Sequence, residues 1–266
     1  MIVAQLSDLH IVPPGQLLYD RVDTAAFLSR AVTEINALDP LPDIVVITGD
    51  LVERGAPAEY AHLRQLIAPL LMPVFVITGN HDNRAALRDA FGGDGYLPAE
   101  GFLHYTVEGY PVRLIALDTL VPDHHRGRLC AARLEWLDRT LAEMPDTPTL
   151  VLMHHPPFVT GIDFMDRFGM EGTAGLAAVI GRHGHVERIL CGHLHRAIDR
   201  RFAGTIAGTA PSTAHQIRLN LNADAPLRFM FEPPGYQLHI WNDTGLVTHT
   251  AVIGDWAGPY PFRAAS

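Results

Sequence analysis

Apolar side chains follow two rhythms along this chain. Residues 2–6, 43–48, 74–78, 149–153 and 186–191 are short, nearly unbroken runs rich in Val, Ile and Leu. Runs of that length read as strands buried on both faces. Between them, residues 22–38, 57–70, 83–91, 130–144 and 175–183 place apolar residues at helical spacing. Asp39-Pro40-Leu41-Pro42 stops the first helix and Pro57 suits the first turn of the second. Residues 102–107 and 112–117, joined by Glu108-Gly109-Tyr110-Pro111, read as a β-hairpin. From about residue 197 the helical spacing disappears, and residues 198–202, 205–208, 227–232, 236–241 and 246–251 read as strands. Residues 158–172 form a loop rich in Gly, Met and Phe. The pattern predicts an α/β fold with a mostly parallel sheet, and a β-rich last quarter able to complete a second sheet. Residues 1–253 are expected to be one domain, and 254–266 a Pro-, Gly- and aromatic-rich tail that packs on a partner subunit.

The polar residues are placed as systematically as the apolar ones. Each of the five buried runs ends in a polar turn: Asp8-Leu9-His10, Gly49-Asp50, Gly79-Asn80-His81-Asp82, His154-His155 and Gly192-His193-Leu194-His195. Parallel strands bring their carboxyl ends to one edge, so the turns should converge on one crevice. Glycine before Asp50, Asn80 and His193 lets the backbone turn sharply or approach a ligand. The collected donors are carboxylates, imidazoles and an amide oxygen, a set suited to borderline divalent metals. Asp8, His10, Asp50, Asn80, His154, His193 and His195 make seven candidate ligands. That is more than one metal takes from a protein, and implies two metals sharing a carboxylate.

Composition narrows the partners. The 266 residues carry a net charge of −9 and no Lys/Arg run, which argues against a nucleic-acid polymer or an anionic membrane. An anionic substrate would need a local positive charge, which bound metal supplies. The two cysteines, Cys130 and Cys191, offer no disulfide framework. With no signal-peptide pattern, a reducing, cytoplasmic location is expected. No apolar run is long enough to cross a bilayer. Among the 15 histidines, His124-His125 is expected to be solvent-exposed or to make a loop contact. His183 and His185 precede the fifth strand and should lie on the opposite edge from the metals.

The five strand-end motifs together resemble the signature of the calcineurin-like metallophosphoesterases. Within that superfamily the chain is similar to class III cyclic-nucleotide phosphodiesterases and bacterial glycerophosphodiesterases. Leu18-Tyr19, Leu117-Asp118-Thr119, His154-His155-Pro156-Pro157, Thr213-Ala214-His215-Gln216 and Ala257-Gly258-Pro259-Tyr260 extend the likeness over nearly the whole chain. The resemblance implies a four-layer αββα sandwich and a dinuclear site of iron, manganese, zinc or cobalt. One metal would take Asp8, His10, Asp50 and His195; the other Asp50, Asn80, His154 and His193, with Asp50 bridging. It implies that His81 contacts the phosphate or leaving group, and it marks His215 as substrate-proximal; Tyr19 is a further candidate for the substrate-binding wall. Asp82 is expected either to support this loop or to cap the following helix.

The expected activity is hydrolysis of a small phosphodiester, such as a glycerophosphodiester or cyclic nucleotide, by a hydroxide held between the metals. His81 would act as proton donor, with Asp50 and Asn80 indispensable to catalysis. Two other readings use the same site: a phosphomonoesterase or phosphoprotein phosphatase, with Arg54 as a candidate phosphate grip, and a non-catalytic metal-bound scaffold. Phe158, Phe164, Met165, Phe168 and Met170 offer apolar surface for a lid or a partner, and a homo-oligomer is expected.

Overall fold

The computed structural model describes residues 1–262. In chain order the elements are β1 Ile2–Leu6, α1 Thr24–Asn36, β2 Ile44–Ile47, α2 Pro57–Ile67, β3 Val74–Val76, α3 Arg84–Phe91, β4 Tyr105–Val107 and β5 Arg113–Ala116. Next come β6 Gly127–Arg128, α4 Ala131–Glu143, β7 Thr149–Leu152, α5 Asp163–Asp166, β8 Met170–Glu171, α6 Thr173–Ile180 and β9 Val186–Cys191. The last are β10 Ile198–Phe202, β11 Thr205–Thr209, β12 Gln216–Ile217, β13 Phe229–Met230, β14 Gly235–Asn242 and β15 Gly245–Val252.

Two sheets carry the fold, in the orders β15-β14-β1-β2-β3 and β10-β11-β9-β7-β5-β4. The alternation of side chains on each strand explains why both are covered twice. Ala4 and Leu6 of β1, Val45 and Ile47 of β2, and Val76 of β3 face α1, α2 and α3 through Leu28, Ile35, Tyr60, Leu63 and Leu87. Ile115, Val151 and Ile189 of the second sheet pack on α4 and α6 through Leu137, Leu141, Leu176 and Ile180. The intervening residues Val3, Ile44, Val46, Leu114, Leu150, Leu152 and Leu190 fill the space between the sheets. The result is the predicted αββα sandwich. Among the described residues no helix is long and apolar enough to cross a membrane.

One expectation changes. The five runs do not share one sheet: β1, β2 and β3 form the parallel core of the first, while β7 and β9 belong to the second. The β-rich last quarter completes the second sheet, as expected, and extends the first as well. β10 and β11 extend the second sheet, and β14 and β15 extend the first along β1. Each parallel core leaves an edge of unpaired backbone groups, and the late strands pair with those edges. Gln5 of β1, held by β14, also stitches the two sheets together. The inward His239 of β14 hydrogen-bonds Gln5 Oε1 at 2.9 Å, and the Gln5 amide donates to Thr48 Oγ1 and the Cys191 carbonyl, both at 2.9 Å. This buried polar seam lies just behind the strand ends. The 158–172 loop is also more ordered than expected, holding α5 and β8.

Candidate metal centre

The strand-end turns of both sheets meet at one edge. Past β1 and β2 the backbones stay paired, with Asp8 N donating to Gly49 O (3.1 Å) and His10 N to Asp50 O (3.0 Å). Asp8, His10, Asp50, His193 and His195 all have positive φ, between 46° and 72°. Non-glycine residues in that region are strained, and the strain is held here by buried hydrogen bonds. Asp8 takes both its carboxylate oxygens to the His193 amide, at 2.9 and 3.1 Å, joining the first sheet to the second. Gly49 is used for its positive φ of 90°, whereas Gly79 and Gly192 work by closeness. A Cβ on Gly79 would sit 2.2 Å from Asp50 N and Oδ1, and one on Gly192 would sit 2.1 Å from Ser7 Oγ.

The hydrogen bonds fix the tautomers of the buried imidazoles. His10 Nδ1 donates to Glu53 Oε2 (2.8 Å), His195 Nδ1 to the His215 carbonyl (2.9 Å) and His154 Nδ1 to the Thr48 carbonyl (2.8 Å). Each proton is on Nδ1, so each Nε2 presents a lone pair. Those lone pairs point at other acceptors. His10 Nε2 lies 3.1 Å from His195 Nε2 and 3.6 Å from Asp50 Oδ2. His154 Nε2 lies 3.3 Å from the same Asp50 oxygen and 3.2 Å from Asn80 Oδ1. His193 Nδ1 is 2.9 Å from Asn80 Oδ1, and its buried Nε2 has no hydrogen-bond partner. Where two buried lone pairs face each other, as at His10 Nε2 and His195 Nε2, a cation or an added proton is required between them. The donors fall into two groups that share Asp50 Oδ2.

The charge balance agrees. Burial opposes a proton on His154, yet the Asp50 carboxylate beside it lifts its pKa to about 9. Burial also works against ionised Asp50, but the His154 and His81 charges hold its carboxyl well below the usual range. Without a cation, a proton neutralises the cluster. Burial and the neighbouring imidazoles lower His10, and they lower His193 to about 3, so both offer neutral nitrogen.

His81 sits beside the cluster. Its backbone N–H donates to Asp50 Oδ1 (2.9 Å) and its Nδ1 to the Glu53 carbonyl (2.8 Å), leaving Nε2 for the cavity. Burial disfavours its charge, but Asp50 and Glu53 outweigh burial and raise its pKa. Asp82 supports the loop and does not cap α3; that role falls to Asn83, which accepts from Ala85 N and Ala86 N. The Asp82 carboxylate accepts from Gly79 N (2.7 Å), Leu51 N (3.2 Å) and Tyr60 Oη (2.9 Å).

His10, Asp50, Asn80, His81, His193 and His195 line a cavity of about 330 Å³ with Tyr19, His215, Phe164, Met165 and Phe168. His215 is buried, with its ring 4.7 Å from His195 and 5.8 Å from Tyr19. Burial, then the His195 and His10 rings, drive its pKa down to about 2, so it is neutral. Burial pushes the Tyr19 phenol up to about 12, so it keeps its proton. Of the apolar loop residues, Phe158 and Met170 pack on the core of the second sheet instead.

Three residues escaped sequence reasoning. Glu53, in the turn after Asp50, braces both His10 and His81, and a carboxylate three residues beyond a ligand is its only sequence signal. His155 uses both ring nitrogens on Thr119 Oγ1 (2.8 Å) and the His125 carbonyl (3.1 Å), so it supports the site. His125, expected at the surface or in a loop contact, does remain exposed, but it reaches the cavity and Asn80. The loop from 118 to 128 is folded over the site by Arg84, which grips Asp118 at 2.5 and 2.7 Å. His183 and His185 do lie at the far edge, where His183 meets Asp138 at 2.8 Å.

Residues 1–197 match the family model described as calcineurin-like phosphoesterase. A probable glycerophosphodiester phosphodiesterase of Arcobacter nitrofigilis is 39% identical over 264 residues, covering 98% of this chain and 97% of that protein. The 3',5'-cyclic adenosine monophosphate phosphodiesterase of Escherichia coli K12 is 30% identical over 216 residues, 81% of this chain and 77% of that one. Among solved structures, a dimetal phosphatase from Danio rerio superposes with a TM-score of 0.68 at 14% identity, covering 96% of this chain and 99% of that one. That last likeness concerns the fold alone.

Proposed function

Because the chain belongs to the calcineurin-like phosphoesterase family, we propose that it hydrolyses small phosphodiesters with two metal ions at the converging strand ends. The observation that carries this reading is the set of Nε2 lone pairs of His10, His195 and His154 aimed at one another and at Asp50 Oδ2. Asp8, His10, His195 and Asp50 would hold one ion, and Asp50, Asn80, His154 and His193 the other. The all-nitrogen-and-oxygen set accepts iron, manganese, zinc or cobalt. When bound, the metals supply Lewis-acid polarisation of the phosphoryl group and activation of water.

The protein's own groups do the rest. Asp8 and Asp50 fix the two halves of the site relative to each other. Glu53 and the Thr48 and His215 carbonyls hold the imidazole tautomers. His81, oriented by the Glu53 carbonyl, presents Nε2 as a proton donor to the departing ester oxygen. Neutral His215 and the Tyr19 hydroxyl bind the substrate from the cavity wall, and Phe164, Met165 and Phe168 exclude water from one side. The 39% identity to a probable glycerophosphodiester phosphodiesterase and the 36% identity to a probable cyclic nucleotide phosphodiesterase support a small diester as substrate. Arg54 lines adjacent cavities and not this one, so a phosphate-gripping phosphatase fits less well.

The same reading makes residues 1–253 the catalytic domain and 254–266 a tail, whose last four residues lie outside the described ones. Exposed Trp256, Tyr260 and Phe262 are surface that a second copy in a homo-oligomer would cover. Two free cysteines, one of them buried, fit a cytoplasmic location. The test is a panel of bis(p-nitrophenyl) phosphate, p-nitrophenyl phosphate, glycerophosphodiesters and cyclic nucleotides, run with defined metals beside metal analysis. Faster diester than monoester hydrolysis, lost on chelation and restored by metal, is expected. A preference for the monoester, or inactivity with two metals bound, would overturn it.

A further inference from the structure

His125 stands over the half of the site that contains Asn80, His154 and His193. Its Nδ1 lies 3.3 Å from Asn80 Nδ2. An amide nitrogen can only donate, so Nδ1 accepts and the imidazole proton is on Nε2. No protein atom accepts from that Nε2 among the described hydrogen bonds, and the ring lines the cavity with His81 and Phe168, its centroid 5.7 Å and 5.6 Å from theirs.

The ring's position is built and not incidental. The His155 Nε2–H holds the His125 carbonyl at 3.1 Å, and the Thr119 hydroxyl fixes His155 through Nδ1 at 2.8 Å. Arg133 donates to the Asp118 and Leu120 carbonyls, at 3.0 and 3.2 Å, and Arg84 to Asp118, pinning the loop at its root. On the other half of the site His215 takes the matching place over His10 and His195, 5.7 and 4.7 Å away.

Building on the phosphodiesterase reading, we propose that His125 is a substrate-contacting residue. Its Nε2–H donates to a phosphoryl or ester oxygen on the Asn80 side of the diester, opposite His215. A donor to an anionic phosphate gains more than a neutral hydrogen bond.

The test compares native protein with His125→Ala and His125→Gln, the latter keeping an N–H donor. Metal content, the Kd of inorganic phosphate by calorimetry, and kcat and KM for bis(p-nitrophenyl) phosphate are measured on manganese-loaded protein. His125→Ala should weaken phosphate binding and raise KM by about tenfold with metal content unchanged, and His125→Gln should recover part of the loss. Phosphate Kd and KM within twofold of native in His125→Ala would refute the contact. Metal lost in proportion to activity would refute it too, since His125 would then act only through Asn80. If the native enzyme cleaves no diester, the functional reading fails while phosphate binding still reports on His125.

Discussion

Gly79→Ala isolates the geometry on which the site depends. The added methyl would lie 2.2 Å from the Asp50 amide nitrogen and Oδ1 and 2.9 Å from Asp50 Cγ. Ordinary contact needs roughly 1 Å more, and neither the Asp50 backbone, held in positive φ, nor the Gly79 loop, held by Asp82, has slack to give it. Overpacking of this kind costs about 1–3 kcal/mol of stability. The larger effect falls on function, because a shift of about 1 Å in a catalytic group costs on the order of a hundredfold in rate. Asp50 Oδ2 is the oxygen shared by both groups of ligands, so both are disturbed at once. We expect kcat/KM for bis(p-nitrophenyl) phosphate to fall about a hundredfold or more, with fewer than two metals retained on gel filtration. Gly93→Ala, at a site with nothing within 4 Å, is the matched control and should be neutral. A folded Gly79→Ala protein with two metals and kcat/KM within twofold of native would refute the reasoning.

Two further outcomes follow from buried polar groups. Tyr60→Phe removes the hydroxyl that donates to Asp82 Oδ1 and accepts from Asn83 N, both at 2.9 Å; urea unfolding should show a loss of about 1–3 kcal/mol, and an unchanged midpoint would contradict it. Burial, then the Arg188 guanidinium, hold His239 down to about 3, so the folded state refuses a proton that the unfolded chain accepts below its ordinary value. The stability this contributes is present in full above pH ~6.5 and is lost as pH falls towards 3, by roughly 1.4 kcal/mol per unit. Urea titrations of native and His239→Gln protein between pH 7 and pH 5 should therefore converge as pH falls; a constant difference would show that His239 does not couple folding to protons.

Much of this protein is written in local sequence. The five buried runs, 2–6, 43–48, 74–78, 149–153 and 186–191, are legible as strands, and their polar ends named all seven residues that converge on the site. Local rules suffice there because strand, turn and polar residue are contiguous, and strand direction sends the turns of each sheet to one edge; the packing of the two sheets then brings the two edges together. Which strands share a sheet was not local. It depended on the edges left open by β1 and β9, which β14 and β11 then closed from far along the chain. The supporting groups depended on the same long-range assembly. Glu53 became a brace only when β1 and β2 set His10 beside it, and Asp82 only when α2 delivered Tyr60. His125 lies on no strand end and follows no periodicity. It entered the site because Arg84 and Asp118, 34 residues apart, tie its loop across the cavity. Sequence determined the chemistry available at the strand ends, since residue type and strand polarity are carried by neighbours. Tertiary structure decided tautomers, charge and the walls of the cavity, since those arise from groups that only packing brings together.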